Sequence, residues 1–187
     1  MRKHLCNTTK NIIALMGFSV ITFFLFFYFF MSKQDLVLDA TVSLTLMGLF
    51  YWKYKSLRQD NWSTAALWCA VILHNTHLYG SQPLGINFDH YMHFVAGFAI
   101  AIVFDRYFYE RLTFFQRFLL LSVAALGIGA VGEILEWFGY DILGSGEGFF
   151  YYGVGDEGEW RNAILDLICD VFGGFVMVFL TLFRKKS

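Results

Sequence analysis

Six mostly apolar runs divide the chain, at about 11–31, 36–52, 63–80, 88–107, 118–140 and 161–183. Most approach the roughly 20 residues that an α-helix needs to cross a hydrocarbon core of about 30 Å, and none alternates like a barrel strand. The pattern predicts an all-α fold, a polytopic membrane helix bundle with six transmembrane helices. One proline and no low-complexity linker leave a single integral membrane domain over 1–187. The first run follows a basic start, as a signal peptide would. Its apolar core, 12–31, is too long for one and carries no small-x-small cleavage site, so it reads as a retained first helix.

The polar residues that interrupt these runs are more informative than the runs. In the fourth, Asp89, His93 and Gly97 are spaced by four and share one helix face, while the neighbouring His90 is turned by about 100° and points toward another helix or lipid headgroups. The fifth run places Gly129, Gly132, Glu133 and Glu136 on one face. The sixth repeats the plan with Asn162, Asp166 and Asp170 above Gly173 and Gly174. Gly127, Gly129 and Gly132 match a G-x-G-x-x-G string, but no strand precedes them, which argues against a dinucleotide site and for helix packing. Asp39 either faces the same cavity or caps the second helix. His74 and His77 fit an interfacial or packing role better than ligation.

Charge gives these helices a direction. With the N-terminus cytoplasmic, 12 of the 14 Lys and Arg residues lie inside, leaving Lys33 and Arg161 outside. The positive-inside rule then places both termini in the cytoplasm. Of the 15 carboxylates, all but Asp60, Asp105 and Glu110 fall toward the other side. The ionisable groups within the spans therefore gather in the outer half, around one cavity open to the extracytoplasmic side.

Composition agrees: 57% hydrophobic, 20% aromatic and only 16% charged residues, against about a quarter charged in soluble domains. The lipid bilayer is the expected partner, and no nucleic acid is. The three cysteines form no disulfide framework; Cys6 precedes the first span, and Cys69 and Cys169 read as buried apolar thiols. The Gly- and aromatic-rich stretch 141–160 suits a lid over the cavity mouth.

Carboxylates crowded into a dry site either retain protons or are neutralised by a cation. The expected ligands are Asp89, His93, Glu136, Asp166 and Asp170, with Glu133 or Glu136 as general base and Asp39, His74, His77, His90 and Asn162 in second rank. Mixed imidazole and carboxylate donors suit Zn, Mn or Fe, and an oxygen-rich subset suits Mg. There is no HExxH, calcium-loop or di-iron Glu-x-x-His motif. The reading is a metal-dependent hydrolase or transferase acting on a lipid-linked or envelope substrate, with enzymatic activity itself left open. A cation- or proton-coupled transporter, and a structural or resistance-associated protein with a buried polar lock, are the alternatives.

These residues resemble the YjdF-like family of bacterial inner-membrane proteins, through Asp89-His90-Tyr91-Met92-His93-Phe94 with Gly97, Glu133-x-x-Glu136-Trp137, and Gly155-Asp156 through Trp160 to Asp166, Asp170 and Gly173. The match covers about the second half of the chain and departs at Asn162, where the pattern carries an acid. A more distant likeness is to VanZ-like proteins, linked to glycopeptide resistance, which combine an Asp-x-x-x-His helix, a glutamate helix and a spaced Asp helix before glycine. The resemblance implies a shared polar core and supplies no reaction.

Overall fold

The computed structural model describes residues 2–54, 56–108, 112–143 and 159–182, and among them it is all-α. Six helices follow in order: α1 (Arg2–Phe30), α2 (Gln34–Lys53), α3 (Asn61–His74), α4 (Phe88–Phe108), α5 (Phe114–Leu143) and α6 (Glu159–Leu182), with a short 3-10 turn at Pro83–Gly85. Five of the six, all but α3, are long and apolar enough to cross a membrane. The chain is thus a multi-pass membrane protein. In the stretch expected to form a lid, the first three residues continue α5 and the last two open α6, while 144–158 lie outside the described residues.

The exception, α3, is where sequence and structure part. The apolar run 63–80 predicts a helix of spanning length, but α3 has 14 residues, about 21 Å at 1.5 Å per residue. Its start is fixed by a capping box. The Asp60 carboxylate accepts the Trp62 and Ser63 backbone N–H groups at 3.1 and 3.0 Å, and the Ser63 hydroxyl accepts the Asp60 N–H at 3.0 Å. Its end is set by Asn75, whose amide donates back to the Val71 carbonyl at 2.9 Å and across to the Ser43 hydroxyl at 2.8 Å. Two residues on, His77 adopts φ 50°, which no helix continues.

The helices pack as two groups of three. α1 lies against both α2 and α3; α4, α5 and α6 lie against one another; the α3–α4 contact joins the groups. Large aromatic side chains on α1, among them Phe23, Phe26, Phe29 and Phe30, stay exposed, as a lipid-facing surface requires. The tightest contact is α4 on α6. A Cβ on Gly97 would fall 2.2 Å from the Asp170 carbonyl oxygen, and one on Gly173 2.2 Å from the Phe94 carbonyl oxygen, so both glycines are needed for the backbones to approach. Beyond that contact, Ala101, Ile102, Leu121, Met177 and Val178 form a buried apolar cluster. Cys69 is exposed and Cys169 half-buried, contrary to the buried role expected of both. The reason for Cys69 is that its side of α3 lines an open apolar groove with Phe98 and Met177.

Candidate functional site

The close approach of α4 and α6 brings His93 to the side chains of α6. Its Nδ1 lies 3.0 Å from Asp170 Oδ2, which fixes the ring and turns Nε2 the other way. That nitrogen faces three carboxylates: Glu133 Oε1 at 3.6 Å, Asp89 Oδ1 at 3.9 Å and Glu136 Oε1 at 4.0 Å. One ligand atom each from Asp89, His93 and Glu136 lie within 4.8 Å of one another, as do atoms from His93, Glu133 and Asp166. The spacing on α5 accounts for the two glutamates, since residues three apart share a helix face.

Behind these lies a second layer. His90 Nδ1 is hydrogen-bonded to Asp166 Oδ1 at 2.6 Å. The Asn162 amide donates to the other Asp166 oxygen at 2.7 Å and, longer, to Asp89 Oδ2 at 3.5 Å. Asp89, Asp166 and Asp170 are all essentially buried, between 0% and 1% exposed. Each therefore needs partners, and histidines and an asparagine supply them. His90 thus turns inward to α6. Asn162 ties two aspartates together as a neutral donor.

The first-ranked residues all come together around His93. Asp89 and Glu136 present atoms with it to one centre, and Glu133 and Asp166 present atoms with it to another, while Asp170 holds its far nitrogen and Asp166 is also bonded by His90 and Asn162. A cavity of about 190 Å³ opens beside them, lined by Asp89, His93, Glu136, Asp170, Gly129 and Gly132. Gly132 has nothing within 4 Å of a built Cβ, so it keeps space open where the sequence suggested helix packing.

His74 and Tyr79 line the same cavity from the other helix group. His74 Nδ1 is 2.5 Å from the Tyr79 hydroxyl, and its Nε2 is 3.7 Å from Asp39 Oδ2. His77 Nε2 reaches the same oxygen at 3.8 Å. Both histidine side chains are largely buried, 10% exposed. Asp39 lies inside α2, five residues past its first residue, and does not cap it. Sequence reasoning missed Tyr79. Its signal was available: a tyrosine five residues after His74, beyond a helix-ending asparagine, can fold back onto that histidine.

No curated protein and no solved structure matches the chain. Residues 12–187 match the model of the family described as predicted membrane protein (DUF2238), in agreement with the YjdF-like resemblance and with the apolar helices, and the chain belongs to that family.

Proposed function

We propose that Asp89, His93 and Glu136 bind a divalent metal ion, Zn, Mn, Fe or Mg. On this reading the protein is a metal-dependent hydrolase or transferase acting on a lipid-linked or envelope substrate from the outer face of a bacterial inner membrane. The observation that carries it is the surrounding of His93: three carboxylate oxygens at 3.6–4.0 Å from Nε2, and an aspartate at 3.0 Å from Nδ1. A histidine that ligates through one nitrogen typically hands the other to a carboxylate, which is the arrangement of His93 and Asp170.

The metal would acidify a bound water and polarise the substrate. Glu133 is suited to the proton. Its Oε1 points at the centre, is buried, and makes no hydrogen bond, as a general base awaiting water or substrate would. The cavity lined by Asp89, His93 and Glu136 gives a substrate access, and Gly132 leaves room in it.

Twelve of 14 basic residues on the inner side support cytoplasmic termini and six crossings, α3 and the segment after it together making the sixth. The buried apolar cluster beneath the site and the close α4–α6 approach at Gly97 and Gly173 favour a dead-ended cavity over a transport path. The test is elemental analysis of protein purified in mild detergent. A site metal is expected to be retained by the wild type and lost in Glu136→Gln and Asp89→Asn with helicity unchanged. Equal metal content in wild type and both variants would refute the proposal.

A further inference from the structure

The α1–α3 group has a polar centre of its own. Asp39 is fully buried on α2, and its Oδ2 is approached by two imidazole nitrogens from separate places: His74 Nε2 at the end of α3, at 3.7 Å, and His77 Nε2 in the segment that follows, at 3.8 Å. Both separations are too long for hydrogen bonds. Unlike the atoms of the His93 groups, the three do not all lie within 4.8 Å of one another, so a shared ion has to draw the two rings together.

His77 is the informative member. Its side chain is nine-tenths buried, yet neither ring nitrogen makes a hydrogen bond. Buried polar groups without partners are rare enough in folded proteins to need an explanation. Its backbone also holds φ 50°, a region costly for a residue other than glycine. The fold maintains this conformation. The Tyr28 ring stands edge-on to the imidazole at 5.2 Å, and the Tyr28 hydroxyl donates to the Asn75 carbonyl. Two residues before His77, Asn75 is bonded to Ser43 on α2. His74 is oriented as well, because its Nδ1 is engaged by the Tyr79 hydroxyl at 2.5 Å while Nε2 faces Asp39. Engagement of the second ring nitrogen is the usual condition of a ligating histidine.

We infer that Asp39, His74 and His77 form a second divalent-cation site, separate from the one around His93. Two imidazoles and one carboxylate select zinc or another first-row ion over magnesium or calcium. Metal–nitrogen and metal–oxygen bonds of about 2.0–2.2 Å would draw both rings toward Asp39. Tyr79 joins this centre to the first, since it is bonded to His74 and lines the cavity with Asp89, His93 and Glu136.

The experiment is a zinc titration of chelator-stripped, detergent-purified protein, with bound metal counted by elemental analysis after dialysis. Wild type is expected to bind one ion per chain more than His77→Asn, a change that keeps a residue tolerant of positive φ while removing the ring. Asp39→Asn is expected to lose the same ion. Glu136→Gln is expected to keep it. Equal stoichiometry in wild type and His77→Asn would overturn the inference, as would loss of all bound zinc in Glu136→Gln. A single ion lost in His77→Asn but kept in Glu136→Gln would uphold this site while removing the first.

Discussion

Asp170 Oδ2 lies 3.0 Å from His93 Nδ1 and only 1.8 Å from where a Cβ on Gly129 would stand, so one carboxylate on α6 is held between a histidine of α4 and a bare stretch of α5. Three helices meet at that side chain. The position of the His93 ring, and hence of the nitrogen that faces Asp89, Glu133 and Glu136, follows from it.

Asp170→Asn retains a hydrogen-bonding group but removes the charge that orients His93. Metal affinity at the His93 centre is expected to fall by about 10–100-fold, the usual effect of losing a carboxylate behind a ligating histidine. A competition titration against a chromophoric chelator measures it. Unchanged affinity would show that Asp170 does not act through His93.

Alanine at the three glycines separates site from scaffold. At Gly129 the new methyl meets the Asp170 side chain, nearest at Oδ2, rather than backbone, so the helices should persist while metal affinity drops. At Gly97 and Gly173 it meets backbone oxygens at 2.2 Å, and the α4–α6 contact itself must open. Those two variants are expected to lose about 1–3 kcal/mol of stability or more. Thermal melts in detergent followed by helical circular dichroism should rank Gly129→Ala nearest the wild type. A melt of Gly97→Ala that matched the wild type would contradict the close contact.

Much of this was legible because a membrane helix obeys two strong rules. Spanning length and period-four polar spacing located α4, α5 and α6 to within a few residues at most described ends, and the same spacing put Asp89 with His93 and Glu133 with Glu136. Gly97 and Gly173 were legible as packing residues because each lies on the polar face of its helix. What failed was α3. Hydropathy does not register a helix end made by Asn75 and by a histidine at positive φ, so the run was read six residues too long. With it went the positions of His77 and Tyr79, whose partners are set by a turn rather than by a helical period. The division of labour among the acids was equally hidden. Asp166 and Asp170 sit on the same face of α6 as each other, and only the opposing α4 shows that they serve His90 and His93.

At the opposite end of α4 from Asp89 stands a different kind of pair. Asp105 is fully buried, and Arg117, near the start of α5, donates to its Oδ1 from Nε at 2.9 Å and also from Nη2. Next to it in sequence, Arg106 reaches Asp60 at the start of α3, at 2.8 Å, so this end of the bundle is tied by ions where the other end gathers acids and histidines. A buried pair adds little over an apolar replacement, but breaking it strands a charge. Arg117→Met alone is therefore expected to destabilise the protein by about 3–5 kcal/mol, and the double variant Asp105→Leu with Arg117→Met by much less. Detergent melts of both, with metal content measured in parallel, check this. Metal content should be unaffected in the double variant because the apolar cluster lies between this pair and the His93 centre. A single variant as stable as the wild type would mean that Asp105 does not need Arg117 to remain buried.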